Sequence, residues 1–285
     1  MTPMRAALLA DRAAVEARHE AALAHPWRNM AGGLAIGAVA ISVYVFGLVV
    51  LDVSPLTVMR GLGRLGDIAL LMLPPTPGSW DHFFLYLNAL GQTLSIALLG
   101  TLLAAVLAFP VGFIAARNIV ANRIVHFLAR RSLDTVRSVD ILIWALIWID
   151  VVGLGPFAGM LAIASADFGA FGKLVSEAIE TAQRRPVDGV RSAGGSRLHA
   201  IRFGIIPQIL PVFASQILYF FESNTRSATI VGIVGGGGIG LWLSEQIQVL
   251  GWQDAAFIIL MVLVMVAVID AISRRLRGAI IGRGS

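Results

Sequence analysis

The chain has 285 residues, of which 57% are hydrophobic and only 14% are charged, and its mean hydropathy is +0.82. Soluble domains carry about 25% charged residues, so this composition excludes an ordinary water-soluble protein and indicates a membrane protein. The chain has no cysteine, which excludes disulfides and thiolate metal sites. The net charge of +5 at pH 7 would fit nucleic-acid binding, but the positions of the basic residues give another explanation.

Six stretches predict membrane-spanning helices, which need about 20 mostly apolar residues. Two further segments, Ala6–Ala24 and Leu56–Leu73, have the pattern of amphipathic helices that lie on a membrane surface. The predicted spans, in chain order, are Ala31–Leu51, Phe83–Ala116, Val139–Ile149 with its continuation past Asp150, Phe157–Leu174, Pro211–Val234 and Ala255–Ile272.

Basic residues cluster on one side of the predicted spans, and cytoplasmic loops are the ones that collect Lys and Arg. Of the 22 Lys and Arg residues, 19 fall in the N-terminal segment, after the second span, after the fourth span or at the C-terminal end. Arg60 and Arg64 fall on the other side, and Arg226 falls inside a span. This distribution places both termini in the cytoplasm. The basic charge therefore reflects topology, and no nucleic-acid partner is expected.

The loop Glu177–Pro211, between the fourth and fifth spans, predicts a compact cytoplasmic projection made of short helices. A solvated basic loop that only sets the topology is the alternative. The features that predict the projection are a helical piece before Pro186, a second helix from Asp188, a break at Gly194-Gly195, an N-cap at Ser196, a third helix over Arg197–Phe203, and a return to the bilayer at Pro207 and Pro211.

This loop resembles the signature of the inner-membrane permeases of type I ABC importers, which share a methionine-importer-like fold. Asp188, Gly194 and Ile206-Pro207 fall at the signature positions, although the family usually has Glu-Ala-Ala where this chain has Asp188-Gly189-Val190. The resemblance implies an all-α membrane fold with both termini inside, whose loop forms coupling helices that dock into a groove of an ATPase subunit. The candidate coupling residues are Asp188, Gly189, Arg191, Gly194, Gly195, Arg197 and Pro207.

Within that family the sequence is most similar to the phosphonate and phosphite permeases. The strings that carry the similarity are Ala97–Asn118, Val152–Ala164, Gly172–Glu180 and Phe220–Gly240. One departure is Asp140, which stands where the subgroup tends to have proline at the start of the third span. The resemblance implies translocation of phosphonate, phosphite or hypophosphite across the bacterial inner membrane, after delivery by a periplasmic binding protein.

The same resemblance implies the partners of the chain. These are two copies of an ABC ATPase subunit that holds ATP and magnesium, a second permease chain that completes a homodimer, the binding protein and membrane lipid. The chain itself has no P-loop motif, so no cofactor and no catalytic site are expected in it. The implied organisation is a cytoplasmic amphipathic segment (residues 1–30), a first transmembrane helix (31–52), a periplasmic segment with an interfacial helix (53–82), a permease core (83–272, with the coupling loop at 177–211) and a cytoplasmic basic tail (273–285).

Three polar residues inside the fifth span are candidates for the translocation path or its gate: Glu222, Asn224 and Arg226. Glu222 and Arg226 are four residues apart, so a self-contained ion pair on one helix face is the alternative. Asn224 points about half a turn away. Four aspartates, Asp140, Asp150, Asp167 and Asp270, are expected near span ends, where water reaches them.

The glycine run after the fifth span formally contains the G-x-G-x-x-G pattern of dinucleotide-binding proteins. That pattern requires a preceding strand, whereas a hydrophobic span precedes it here. We expect a flexible break at the outer end of the span, with Gly235 and Gly237 as gate or hinge positions. A secondary transporter driven by an ion gradient is the alternative function, although such transporters usually have internal repeats. A membrane-embedded enzyme is disfavoured because no cluster of catalytic polar groups stands out.

Overall fold

The computed structural model describes residues 26–120 and 122–281, and every regular element in these ranges is a helix. The all-α membrane fold expected from the sequence is therefore confirmed. The predicted amphipathic segment Ala6–Ala24 lies outside the described residues, as does the end of the basic tail. The α-helices are α1 (Pro26–Val50), α2 (Pro55–Leu71), α3 (Trp80–Ile114), α4 (Arg123–Arg137), α5 (Ile141–Val152), α6 (Pro156–Thr181), α7 (Arg184–Ser192), α8 (Arg197–His199), α9 (Ile206–Val231), α10 (Ile239–Gln248) and α11 (Trp252–Ile281).

Two π-helical segments extend α9 at its ends. Ala200–Ile205 joins α8 to the start of α9, and Gly232–Gly236 follows its last residue. Together these elements form one helical stretch, Arg197–Gly236, which is interrupted near its end by a kink at Gly235 (φ +106°). Isolated π turns are rare and often lie at functional sites, which makes both ends of this helix candidate functional sites.

Within the described residues, five helical stretches are long and apolar enough to cross a membrane, which confirms five of the six predicted spans. The chain divides into two compact units, Met1–Asp67 and Ile68–Ser285. The first unit contains α1, whose side chains are apolar and mostly exposed, as expected of a helix that faces lipid. The second unit contains the other four spanning stretches and all candidate functional residues.

The helix at the predicted third span is present but is shorter than a bilayer crossing. This apolar helix, α5, has only 12 residues, which is about 18 Å of helix against a hydrocarbon core of about 30 Å. The charged helix α4 precedes it, and both pack against α6. Leu133 of α4 packs on Gly172, and Trp148 of α5 donates a hydrogen bond to Ser165 (2.9 Å). The two helices thus accompany different halves of α6.

Asp140 lies between these two helices and is the N-cap of α5, where its side chain accepts a hydrogen bond from the backbone N–H of Leu142 (2.8 Å). An N-cap carboxylate and a proline in the first turn are both ways to start a helix. The aspartate therefore has a clear structural role at a position where the resemblance described above leads us to expect proline.

Small residues hold α3 and α6 close together. A Cβ atom added to Gly100 would lie 2.8 Å from the side chain of Ile163, and one added to Gly112 would lie 2.5 Å from Val175. Ala104, on the same face of α3, is fully buried. Small residues permit such close approach of helices in membranes. The α3–α6 pair is thus a fixed frame on which α9 packs.

Candidate functional site

The projection that the sequence predicts between the fourth and fifth spans is present, with different internal boundaries. Its first part is one helix, α7, which contains both Pro186 and Asp188. The expected break at Pro186 is wrong because a proline in the first turn of a helix leaves no hydrogen bond unmade. The glycine break is correct: Gly194 has a φ of +81° and turns the chain after α7. Ser196 then caps α8, as expected, by accepting a hydrogen bond from the backbone N–H of His199.

Hydrogen bonds fix the two ends of the projection to each other. The backbone N–H of Gln183, just before α7, donates to the side-chain oxygen of Gln208 (2.9 Å), and the Gln208 amide donates back to the carbonyl of Gln183 (3.2 Å). Gln208 belongs to the first turn of α9. In addition, a Cβ on Gly204 would lie 2.9 Å from the Cα of Val187, so α7 packs directly on the π-helical segment. The projection is therefore a stiff element.

A network of charges attaches the neighbouring end of α6 to α4 and to the end of α3. Glu180 accepts hydrogen bonds from Arg130 (3.1 Å) and from the backbone N–H of Arg117 (2.9 Å). Lys173, about two turns earlier on α6, donates a hydrogen bond to Asp134 of α4 (2.9 Å). Movement of the projection is thereby linked to the helices around α6.

The predicted coupling residues lie on the surface of this projection. Asp188, Arg191 and Arg197 line one cleft of about 380 Å³ between α7, the π-helical segment and the turn after α3. Arg197 also donates a hydrogen bond to the carbonyl of Ile119 in that turn. The other predicted coupling residues serve the backbone: Gly189 is exposed on α7, Gly194 and Gly195 form the turn, and Pro207 is in the first turn of α9.

Two large apolar side chains on the projection are exposed, and the sequence analysis missed them. Leu198 is 77% exposed and Phe203 is 57% exposed. Exposed apolar side chains on an otherwise charged surface are typical of a site that another protein covers. Hydropathy did not reveal them, because Leu198 stands between Arg197 and His199, and Phe203 follows Arg202.

Asn224 is buried at the centre of the second unit, where it joins three helices. Its side-chain amide donates to Thr101 of α3 (2.8 Å) and to the carboxylate of Asp167 of α6. All three side chains are buried. The expectation that Asp167 lies near a span end is therefore wrong, since it lies in the middle of α6 and belongs to an interhelical hydrogen-bond cluster.

Glu222 and Arg226 do not pair with each other, which contradicts the ion-pair alternative. Both instead contact α11: Glu222 accepts a hydrogen bond from Arg277 (2.6 Å), and Arg226 lies 3.4 Å from Asp270. The Glu222–Arg277 pair is the more buried of the two, because the Arg226 side chain is 49% exposed. Asn224 points away from this face, as predicted.

The glycine run forms a packed turn, so the flexible break predicted from the sequence is wrong. Gly235, Gly237 and Gly238 have positive φ angles, and residues 235–240 are buried. A Cβ on Gly237 would lie 2.6 Å from the backbone N of Pro156, at the start of α6. The backbone N–H of Ile239 donates to Thr93 of α3 (2.8 Å). The turn is thus held by both helices of the α3–α6 frame.

Comparison with known proteins agrees with this architecture. Residues 108–282 match the family described as binding-protein-dependent transport system inner membrane component. The chain is 38% identical over 217 residues to the putative phosphite transport system permease protein HtxC of Stutzerimonas stutzeri, an alignment that covers 76% of each chain. It is 35% identical over 253 residues to the phosphite transport system permease protein PtxC of the same organism, covering 88% of this chain and 89% of that protein.

The fold is similar to that of a solved importer. An inward-facing structure of the MetNI methionine ABC transporter superimposes with a TM-score of 0.63 at 17% sequence identity. The superposition covers 71% of this chain and 99% of the solved chain. At this identity the comparison bears on the fold alone, and the fold is that of type I importer permeases.

Proposed function

Because the chain belongs to the binding-protein-dependent transport system inner membrane component family, and is thus a permease component of an ABC importer, we propose that it imports phosphite or a phosphonate. Like its relatives it is a membrane subunit without a catalytic site. The proposal includes a separate ATPase subunit in two copies, which binds ATP and magnesium, a periplasmic binding protein that delivers the cargo, and the bacterial inner membrane as location.

The observation that carries the proposal is the stiff, exposed projection. A rigid-body movement passes through an element only if both of its ends are fixed to the moving helices. Here α7 is tied to α9 through Gln183 and Gln208, and α6 leads directly into it. Leu198 and Phe203 supply exposed apolar surface for a partner. This combination supports docking of an ATPase on the projection.

The arginines of the projection complement such docking electrostatically. Arg191 and Arg197 flank the cleft that also contains Asp188. Charges of one sign around an apolar centre guide a partner of the opposite sign and fix its orientation more than they raise its affinity. We therefore expect an acidic rim around an apolar pocket on the ATPase surface.

The cargo assignment rests on the relatives, whose names refer to phosphite transport. The charged groups inside the spans do not form a concentrated cationic site, because Arg226 already lies beside Asp270 and Arg277 beside Glu222. A path that releases its cargo must bind it weakly. We therefore propose that the binding protein selects the oxyanion and that this chain conducts it, as a homodimer of two such chains.

Co-purification tests the docking site. The exchange Leu198→Glu places a charge on the exposed surface of α8 and should abolish co-purification of the ATPase subunit. Val249→Glu is the matched control, since Val249 is 65% exposed in the turn between α10 and α11 and is expected to retain the ATPase. Equal ATPase recovery with both variants would contradict docking on the projection.

Uptake into vesicles tests the cargo and the energy source. Phosphite or methylphosphonate uptake should require the ATPase, the binding protein and ATP. Uptake that persists without the ATPase and depends on a proton gradient would instead establish a secondary transporter. Uptake of neither oxyanion by an ATP-dependent complex would refute the cargo assignment and leave the ATPase docking intact.

A further inference from the structure

A large basic cavity lies at the turn between α3 and α4, outside the coupling projection. Its volume is about 900 Å³, and four arginines line it: Arg117, Arg123, Arg130 and Arg131. Asp134 is the acidic residue in its wall. We propose that this cavity binds the phosphate headgroup of an anionic phospholipid of the inner leaflet.

The arginines fall into two groups that differ in their partners. Arg130 is held by Glu180 (3.1 Å) and Glu177 (3.5 Å), and Arg131 lies 3.6 Å from Asp134. Among the residues that the structure describes, Arg117 and Arg123 have no acidic side chain within ion-pair distance. These two guanidinium groups supply the positive charge that an anion in the cavity would neutralise.

The chemistry of this pair suits a phosphate group. Guanidinium groups bind phosphate oxygens through paired N–H donors. His126 also lines the cavity, and its Nδ1 is buried without a hydrogen-bond partner in the described part of the chain. Buried polar atoms usually have a partner, and a ligand bound in the cavity would supply one.

The surroundings of the cavity favour a lipid over a soluble anion or an acidic protein. Ile124 is 70% exposed, and Phe127 and Leu128 are also exposed on the same helix. An amphipathic helix of this kind lies at the membrane interface, with its apolar side chains among acyl chains and its basic side chains at the headgroups. A phospholipid satisfies both faces of α4 at once.

The position of the cavity agrees with this ligand. The turn after α3 belongs to the side that the distribution of Lys and Arg assigns to the cytoplasm. Anionic lipids of that leaflet attract basic residues close to the surface. Because Arg117 also donates its backbone N–H to Glu180 at the end of α6, a bound headgroup would adjoin the helix that leads into the projection.

Native mass spectrometry of the purified full-length chain tests the proposal, with phosphatidylglycerol and phosphatidylcholine added in parallel. The wild-type protein should retain phosphatidylglycerol in preference to phosphatidylcholine. The pair Arg117→Gln and Arg123→Gln should weaken phosphatidylglycerol retention roughly tenfold or more, since each basic residue near an anionic surface contributes substantially to attraction. Arg117→Lys with Arg123→Lys should keep most of it.

The matched control removes the same charge elsewhere on the same predicted side. Arg274 and Arg275 are exposed near the end of α11 and do not line the cavity, so their exchange for Gln should leave retention unchanged. Equal losses in both Gln pairs, or equal retention of the two lipids by wild type, would overturn the proposal. Displacement of the lipid by millimolar inorganic phosphate would assign the cavity to a free oxyanion instead. If the variant with Arg117→Gln and Arg123→Gln retained the lipid but no longer co-purified with the ATPase, the cavity would be assigned to a protein partner.

Discussion

The packing of the glycine turn against α6 makes a quantitative prediction for Gly159→Ala. The new Cβ atom would lie 2.4 Å from the carbonyl oxygen of Gly236 and 3.4 Å from the side chain of Ile96. The obstacle is backbone that cannot rotate away, and Gly235 beside it accepts a hydrogen bond from Gly155 (3.0 Å). Such overpacking costs about 1–3 kcal/mol or more, while Ala gains up to about 1 kcal/mol over Gly within a helix. The net expectation is a loss of one to two kcal/mol, roughly, in the free energy of unfolding.

Gly91→Ala is the matched control, because it is the same exchange inside the spanning helix α3 and no atom lies within 4 Å of the added Cβ. Only the gain in helix propensity applies there. Thermal unfolding in detergent, followed by the fluorescence of the six tryptophans, measures both variants. At about 2–4 °C per kcal/mol for chains of this order of size, Gly159→Ala should lower the midpoint by several degrees and Gly91→Ala should leave it unchanged or slightly higher. Equal midpoints would refute the inference that the turn is rigidly packed.

Four further variants test the polar residues of α9 and the contact of Arg226 with α11. Arg226→Ala should abolish uptake without loss of assembly. The charge swap Arg226→Asp with Asp270→Arg should restore uptake if the ion pair is needed only for helix packing. The swap should fail to restore uptake if the translocation path needs a cation at position 226. Asn224→Leu should destabilise the protein by about 1–2 kcal/mol, because the buried carboxylate of Asp167 loses its donor, and an unchanged midpoint of thermal unfolding would contradict this. Gln208→Leu should speed hydrogen exchange in α7 while leaving α11 unaffected, and unchanged exchange in α7 would show that packing alone holds the projection.

The sequence predicts the spans well because the thickness of the bilayer sets a length that hydropathy measures directly. It also predicts the turn and the cap of the projection, since Gly194 adopts a positive φ and Ser196 offers an oxygen to an unpaired N–H. Both kinds of signal depend only on residues that are adjacent in sequence, so neighbouring helices do not affect them.

The ion pairs could not be predicted in the same way. The i,i+4 spacing of Glu222 and Arg226 correctly indicates a shared helix face, but it says nothing of what that face contacts. In the structure that face packs on α11, which offers Asp270 and Arg277 as partners. Asp270 was expected near a span end from its position beside the last apolar run, and the sequence does not reveal its partner Arg226, which is 44 residues away.

Tertiary context also decided the third span and the glycine run. The hydropathy of the sequence identifies the apolar residues of α5. It does not show that the charged helix α4 packs along one half of α6 while α5 packs along the other half. A glycine in a sequence indicates either a flexible backbone or a position where another part of the molecule lies too close for a side chain. For Gly237 the distance to Pro156 shows that close approach is the reason, and only the fold distinguishes the two.

The helical stretch Arg197–Gly236 connects the projection to the glycine turn. Its α-helical part, α9, has 26 residues and is about 39 Å long; the exposed projection precedes it and the buried glycine turn follows it. Between them, Asn224 fixes one face to α3 and α6, whereas Arg226 on another face has a half-exposed pair with Asp270. When the ATPase moves the projection, α9 should therefore rotate while its hydrogen bonds from Asn224 to Thr101 and Asp167 stay in place. The first distance to change should be the one between Arg226 and Asp270. Because the chain has no native cysteine, Arg226→Cys and Asp270→Cys can be joined by a short thiol reagent. The yield of joining in the assembled complex should differ between samples with and without ATP, with each single variant treated in parallel as the control for modification. An equal yield in both samples would rule out movement at this pair.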